Sequence, residues 1–254
     1  FVLFVVRFAI AAALMLFISH AIMRQPLPTG KRLWKQLIIY GLLNVGLYLG
    51  LFVLAMREVS AGLGTLFIAT NPVFIVIISA VWGRQRIRAV TLVSFALCLA
   101  GLLLAAYPLL LDSYASLRGI GLLLLSMLTY SLGAIYFSRH EWGDLHILTI
   151  NGWQTLFGGL SLLPFALWFF DASANRPDAN FIGSILWLAG PVSIVAVLLW
   201  LYLLRDNPVN ASAWLFLCPI IGFAIAALIV DEPLSWHTAV GVVLVLAGLL
   251  LVQR

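Results

Sequence analysis

Long apolar runs alternate with short polar connectors along the whole chain. Nine runs have close to the twenty residues that a helix needs to cross a hydrocarbon core about 30 Å thick. They cover residues 1–19, 34–55, 63–82, 87–107, 119–138, 145–169, 181–204, 211–230 and 236–252. A helix pairs its backbone amides within its own segment, as hydrocarbon requires. The pattern therefore predicts an all-α polytopic membrane protein with nine visible transmembrane helices.

The second half of the chain repeats the first at an offset of 147 residues. The sequence LAGLLL occurs at residues 99–104 and again at 246–251. Leucine and alanine recur by chance in an apolar chain, but prolines and glycines in register are stronger evidence for a repeat. We therefore expect two related halves. The offset also aligns Pro72 with Pro219 and Thr91 with Thr238.

One span has no counterpart in this repeat. The offset pairs the first four spans with the last four and leaves 119–138 unmatched. The chain opens on Phe1 inside an apolar run, so we expect the missing partner to precede it. This predicts ten helices in the intact protein. The first repeat, at 1–107, lacks its first helix, and the second repeat occupies 119–254.

The positive charges of the connectors predict the orientation of the chain. Ten Lys and Arg residues lie on one side and three on the other, and the richer side faces the cytoplasm. That side includes the C-terminus at Arg254. Five spans per repeat is an odd number, so the halves are predicted to be inverted relative to each other. Inverted repeats are common in secondary transporters, whose substrate sites lie near the bilayer midplane.

Composition supports the class of polytopic membrane proteins and limits which partners are expected. Hydrophobic residues make up 64% of the chain and charged residues only 9%, so water is not the solvent for most of its surface. The net charge of +5 lies mostly in connectors rather than on one face, which argues against nucleic acid. Cys98 and Cys218 have no paired spacing, so we predict no metal site and no cofactor. The partners are a small-molecule substrate and the lipid bilayer.

A series of short motifs resembles the EamA family of the drug/metabolite transporter superfamily, and recognition depends on their order and duplication. They are Arg7-Phe8, Ser60-Ala61-Gly62, Asn71-Pro72-Val73-Phe74, Trp82-Gly83-Arg84 and Ala100-Gly101, then Pro208 to Ala213, Cys218-Pro219, Asp231-Glu232-Pro233-Leu234 and Ala247-Gly248. The resemblance implies ten helices and export of small metabolites. Members handle amino acids, as the YddG-type exporters do, or sugars, nucleotides and cationic drugs, and the resemblance does not choose among these.

Polar and aromatic residues within the spans are the candidate binding residues. Such residues are costly in the membrane and usually face the bundle interior. They predict a cavity lined by amides, phenols and indoles, although polar side chains also bond helices to one another without binding any ligand. The predicted substrate-binding residues are Asn44, Tyr48, Asn71, Tyr130, Asn151, Trp153, Gln154, Trp187 and Trp214.

Three prolines and one arginine stand out inside the apolar runs. Proline frees a backbone carbonyl and bends a helix, so Pro72, Pro191 and Pro219 are candidate gating residues, with simple structural kinks as the alternative. Arg7 is the only cation inside a run away from the ends of the run. It could neutralise an anionic group, or its side chain could extend to the membrane interface.

The function predicted from these features is export of a small metabolite by alternating access. An amino acid or a similar zwitterionic or neutral solute is the leading substrate class, and a facilitator is favoured because all nine acidic residues map to connectors or their edges. A proton-coupled exporter is the alternative. A membrane-embedded enzyme is disfavoured because no catalytic constellation is visible, and a structural or receptor role would not require two inverted halves.

The predicted location is a cell membrane, the inner membrane if the source is a bacterium. The sequence leaves the oligomeric state open and is compatible with a monomer.

Overall fold

The computed structural model describes residues 2–83, 87–105, 107, 115–170, 179–221, 225 and 236–252. Its α-helices are α1 (Val2–Phe17), α2 (Lys31–Gly41), α3 (Tyr48–Ala55), α4 (Ala61–Ile68), α5 (Asn71–Gly83), α6 (Ala89–Ala105), α7 (Leu117–Arg139), α8 (Ile147–Trp168), α9 (Ala179–Trp187), α10 (Val197–Asp206), α11 (Pro208–Ala213) and α12 (Trp236–Val252). Strand-like pairing in these ranges is limited to an isolated bridge between Val59 and Ala115. The predicted all-α class is confirmed.

Three π-helical segments extend or join these helices. Ile18–Ile22 follows α1, Leu42–Leu47 joins α2 to α3, and Leu188–Ala196 joins α9 to α10. π-helices are rare and are often found at functional sites. Through these joins, the predicted spans 1–19, 34–55 and 181–204 each remain one continuous helical rod.

Among the described residues, four helical rods are long and apolar enough to cross a membrane. They are Val2–Ile22, Lys31–Ala55, Leu117–Arg139 and Phe181–Asp206. Shorter apolar helical stretches cover Leu66–Trp82, Ala89–Ala105, Pro208–Ile221 and Trp236–Leu251, and the first of them includes the turn between α4 and α5. Several residues used in the sequence analysis lie outside the described residues. They are the connector residues 84–86 and 231–234, the predicted outer residue Arg176 and the C-terminal Arg254.

Local capping explains where two of the helices begin. Asn207 accepts hydrogen bonds from the backbone of Val209 and Asn210 at 3.0 and 3.1 Å, and Pro208 occupies the first position of α11. This is a favourable N-terminus, because a proline there sacrifices no helical hydrogen bond. The Nδ1 atom of His146 likewise accepts from the Leu148 backbone at 3.1 Å and caps α8.

The chain forms two compact units that do not follow the halves of the sequence. The first unit consists of Phe1–Val53 and Tyr136–Asp206, and the second consists of Leu54–Ile135 and Asn207–Arg254. Each unit therefore contains helices from both predicted repeats. The repeat boundaries at 1–107 and 119–254 remain a prediction from the sequence.

The first unit is built around α8, which packs against α1 and α2. Glycines allow the close approach: a β-carbon at Gly152 would lie 2.8 Å from a Leu16 methyl carbon, and one at Gly159 would lie 2.9 Å from the Phe8 β-carbon. Phe8 packs with Val45 and Leu162 in a buried cluster. These contacts place the polar side chains of α8 inside the first unit.

The second unit is centred on the pair α6 and α12. A β-carbon at Gly101 would lie 2.7 Å from the Gly241 carbonyl oxygen, and one at Gly248 would lie 2.8 Å from the Ser94 carbonyl oxygen. The thiol of Cys98 donates to the Val245 carbonyl at 3.5 Å. Such backbone proximity is typical of membrane helices that pack through small residues.

Candidate functional site

A chain of buried side-chain amides runs through the first unit and joins α8 to the π-helical segment Leu42–Leu47. The Nδ2 atom of Asn44 donates to Gln154 Oε1 at 3.0 Å, and Gln154 Nε2 donates to Asn151 Oδ1 at 2.9 Å. Thr155 adds a longer hydrogen bond to the same Asn151 oxygen at 3.4 Å. All four side chains are buried. Three of the predicted binding residues therefore form one connected arrangement.

The network continues into the π-helical segment Leu188–Ala196. Asn151 Nδ2 donates to the Ser193 carbonyl oxygen at 3.0 Å, and the Nε atom of Arg7 donates to the Ser193 hydroxyl at 2.8 Å. The Ser193 hydroxyl in turn donates to the Leu188 carbonyl at 2.9 Å. We call the set Arg7, Asn44, Asn151, Gln154 and Ser193 the polar network.

The π-helical segments Leu42–Leu47 and Leu188–Ala196 occupy positions related by the offset of 147 residues. Adding 147 to the bounds of Leu42–Leu47 gives 189–194, which falls within Leu188–Ala196. The same addition carries Arg7 onto Gln154. Each of these two side chains bonds to the π-helical segment that the other half of the sequence supplies. The two hydrogen bonds, from Arg7 to Ser193 and between Gln154 and Asn44, therefore join side chains and π-helical segments that are related by the offset of 147 residues.

The backbones of α2 and α8 lie in contact, and this brings the side-chain amides of Asn44 and Gln154 within hydrogen-bond distance. A β-carbon at Gly41 would lie 2.5 Å from the Gln154 carbonyl oxygen, and one at Gly158 would lie 2.6 Å from the Gly41 carbonyl oxygen. Gly46 similarly faces the Ser161 hydroxyl. The short asparagine side chain can therefore reach across to the opposite helix.

Tyr48 and Trp153 lie close to the polar network without belonging to it. Tyr48 begins α3, directly after the π-helical segment Leu42–Leu47, and interacts electrostatically with Arg7. The Trp153 indole donates to His20 Nε2 at 3.3 Å and packs edge-on against Trp34 with ring centres 4.7 Å apart. Trp153 also stacks on Phe157. These contacts form an aromatic cluster on α8.

Asn71 and Tyr130 belong to the second unit. Asn71 is buried, and the Ser131 hydroxyl lies 3.3 Å from both its carbonyl oxygen and its side-chain oxygen. Tyr130 is partly buried on α7. The predicted binding residues are therefore divided between two separately packed units, of which the first contains the connected set.

Two predicted pocket residues have exposed side chains. Trp187 is 65% exposed and Trp214 is 45% exposed, and neither takes part in the polar network. The sequence predicted them as pocket residues because they lie deeper in their spans than the tryptophans at the span ends. Depth along a helix does not determine which side of the helix a residue occupies, so the sequence could not predict how exposed these two indoles are.

The candidate gating prolines lie at helix irregularities. Pro72 is the second residue of α5, and α4 ends at Ile68, so the expected kink is a complete break in the helix. Pro191 lies within the π-helical segment Leu188–Ala196. Pro219 follows the short 3-10 turn Trp214–Phe216. A fourth proline, Pro164, lies inside α8 and was missed in the sequence.

A cavity of about 450 Å³ opens at one end of the first unit, where the sequence predicted no site. Its wall includes the buried Trp142, whose indole donates to the Phe137 carbonyl at 2.8 Å. Charged side chains line the same cavity: Glu141, Asp144 and Arg205. Within the described residues, no three His, Cys, Asp or Glu side chains assemble as a metal site.

Comparison with known proteins gives a family match over nearly the whole chain. The model of the EamA-like transporter family matches residues 1–107 and 117–254. The chain is 29% identical over 233 residues to an uncharacterised transporter of Archaeoglobus fulgidus, which covers 89% of this chain and 81% of that protein. It is 28% identical over 240 residues to protein PecM of Dickeya dadantii, covering 91% and 77%.

Two further similarities concern a named efflux protein and the fold. The chain is 26% identical over 201 residues to a protein of Escherichia coli named "Probable amino-acid metabolite efflux pump", covering 74% of this chain and 66% of that protein. A solved crystal structure matches 99% of this chain and 87% of its own with a TM-score of 0.82 and 17% identity. At that identity the match shows the fold alone.

Proposed function

This chain belongs to the EamA-like transporter family, and on that premise we propose that it exports a small metabolite by alternating access. The match confirms the resemblance found in the sequence, and the chain is a multi-pass membrane transporter of the drug/metabolite type. The proposed solute is an amino acid or a similar zwitterionic or neutral metabolite.

The polar network is the observation that carries the proposal. Asn44, Asn151 and Gln154 are buried in apolar helices, where an amide is costly unless it has partners. An amide side chain offers both donors and acceptors, which suits a solute that itself carries donors and acceptors. The similarity to the protein named as an amino-acid metabolite efflux pump supports the same substrate class.

Alternating access requires helices that can change direction near the site. The two π-helical segments bear Asn44 and Ser193, so a change of helical register there would move the polar network directly. Pro191 lies in one of these segments, Pro72 lies just after the turn between α4 and α5, and Pro219 lies just after the 3-10 turn Trp214–Phe216. We propose that these three prolines permit the change between inward and outward states.

The proposed location is a cell membrane, the inner membrane in a bacterium, with the C-terminus in the cytoplasm. Arg118 and Glu58, from two connectors predicted on the outer side, form an ion pair of 3.2 Å, and Ser116 donates to the same carboxylate at 2.5 Å. These connectors therefore lie at one end of the second unit.

Purified protein reconstituted in liposomes tests the proposed function. We expect exchange of a radiolabelled amino acid across the liposome membrane, with protein-free liposomes as the control. A membrane-embedded enzyme would instead convert the solute, so chromatography of the recovered label distinguishes the two activities. Conversion without flux would reject the transporter proposal. The oligomeric state is measured on the same preparation by light scattering.

A further inference from the structure

Arg7 is a cation held in a fixed orientation within a membrane-spanning helix. Its Nε atom donates to the Ser193 hydroxyl at 2.8 Å, and its guanidinium carbon lies 4.9 Å from the centre of the Phe8 ring. Ser193 is buried, and its own proton is donated to Leu188, so its oxygen is oriented to accept from Arg7. One edge and one face of the guanidinium group are therefore occupied.

The described part of the chain supplies no carboxylate partner for this cation. Its acidic residues lie in connectors or at a helix end, and the ion pair found among them joins Glu58 to Arg118. A buried or half-buried arginine at membrane depth is costly, and such residues mark substrate pathways. The acidic residues concerned are Glu58, Glu141, Asp144 and Asp206.

The hydrogen bond to Ser193 uses one edge of the Arg7 guanidinium group, and Tyr48 interacts with its charge. Its described hydrogen bond uses Nε, while its two terminal amino groups form the planar fork that matches the two oxygens of a carboxylate. The offset-related position bears Gln154, which is neutral and already bonded to Asn44 and Asn151. The polar network therefore has one charged end.

We propose that Arg7 binds the carboxylate of the transported solute through its two terminal amino groups, so that the substrate is a carboxylate-bearing metabolite. This inference depends on the proposed transport function and restricts its substrate class. It makes Arg7 a specificity-determining residue, with Ser193 and Phe8 as positioning residues. Neutral solutes that lack a carboxylate would then be poor substrates.

Counterflow in proteoliposomes tests this with L-leucine as the labelled probe and L-leucinamide as the competitor. The amide keeps the side chain and the ammonium group but replaces the carboxylate by a neutral group. We expect unlabelled leucine to compete at least tenfold better than leucinamide in the wild type. Arg7→Gln should lose this preference, and Arg7→Lys should retain part of it because it keeps the charge without the fork.

Arg139→Gln is the matched control, because it removes one positive charge at an exposed helix end outside the polar network. It should keep the wild-type preference for leucine. An Arg7→Gln protein that still prefers leucine to the same degree would overturn the inference, as would a wild type that exchanges leucinamide as well as leucine. The second result would leave transport itself established. Exchange of neither compound by the wild type would instead count against the proposed function, and the inference would fall with it.

Discussion

Gln154 is the central residue of the polar network, because its amide oxygen accepts from Asn44 and its amide nitrogen donates to Asn151. Removing it would leave two buried amides each without one partner. Unpaired polar groups in low-dielectric surroundings cost about 1–3 kcal/mol, but hydrogen bonds between membrane helices average only about 0.6 kcal/mol in net stability. The consequence should therefore be seen more in solute binding than in folding.

Replacing Gln154 by Ala should lower transport by about tenfold, equivalent to about 1.4 kcal/mol, with a similar yield of folded protein. Gln36→Ala is the matched control, since Gln36 is also buried in the first unit but its Oε1 atom has no hydrogen-bond partner. Initial rates of counterflow, normalised to folded protein by size-exclusion chromatography, give the comparison.

The same measurement extends to alanine variants of Asn44, Tyr48 and Tyr130, and normal transport by all of them would mean that the cavity lies elsewhere.

The sequence could indicate Asn44, Asn151 and Gln154, because amides inside apolar runs are conspicuous. It could not indicate Ser193 in the same way, since serine is common in membrane helices and often bonds only to its own backbone. The partners themselves are separated by as many as 186 residues along the chain, as in the bond from Arg7 to Ser193. Which residues meet over such separations depends on how the helices pack.

At the scale of the helices, glycine determines how closely α2 and α8 approach. Their backbones meet at Gly41 and Gly158, where a β-carbon on either residue would lie 2.5–2.6 Å from a carbonyl oxygen of the other helix. A backbone atom cannot rotate away as a flexible side chain can. A larger residue must therefore move the two helices apart and lengthen the hydrogen bond between Asn44 and Gln154.

Gly158→Ala should lower the thermal unfolding temperature in detergent and reduce transport, because overpacking typically costs about 1–3 kcal/mol. Gly121→Ala provides the matched control. Gly121 is also helical, but a β-carbon there would meet nothing within 4 Å, so the higher helix propensity of alanine should leave the protein equally stable or slightly more stable. Equal unfolding temperatures for both variants and the wild type would show that α2 and α8 can separate without cost.

The hydrophobic pattern predicted the positions of the helical spans but not their internal breaks. Span 63–82 is split between α4 and α5, and spans 34–55 and 181–204 contain π-helical segments. A π-helical turn inserts residues without changing hydrophobicity, so the pattern of apolar positions does not reveal it. Proline was a partial guide, because Pro72 follows the turn between α4 and α5 and Pro191 lies in a π-helical segment, while Pro164 lies inside a regular α8.

At the scale of the whole molecule, the repeat in the sequence and the compact units of the structure divide the chain differently. Cys98 bonds to Val245, its own counterpart at the offset of 147 residues. The contact between Gly101 and Gly241 likewise corresponds to the contact between Gly248 and Ser94 under the same offset. The packing of α6, from the predicted first repeat, against α12, from the predicted second repeat, could not be inferred from the linear order of the spans, because the order alone favours two consecutive bundles.

The connector charges predict that the C-terminus faces the cytoplasm. An alkaline phosphatase, which is active only outside the cytoplasm, should therefore be inactive when fused after Arg254. A truncated fusion after Glu58, in a connector predicted to face outward, should be active and serves as the control. Phosphatase activity normalised to fusion-protein level is the measurement. Strong activity of the Arg254 fusion would reverse the predicted orientation.

Energy coupling, that is, whether a proton gradient drives transport, is a property of the whole transporter. Proton-driven exporters usually keep an ionisable acid at membrane depth, where protonation and substrate binding can compete. The acidic residues that the structure describes are Glu58, Glu141, Asp144 and Asp206, which lie in connectors or at the end of α10. We therefore predict a facilitator that carries its substrate down the substrate's own gradient.

Counterflow and net flux in proteoliposomes, with and without an imposed pH difference, test this prediction. Counterflow should persist at the same rate when the pH difference is abolished by an ionophore, because exchange needs only a solute gradient. A proton gradient alone should not drive accumulation above the external concentration. Protein-free liposomes under the same gradient control for passive trapping of a weak acid or base. Uphill accumulation that requires both the protein and the proton gradient would establish the proton-coupled alternative.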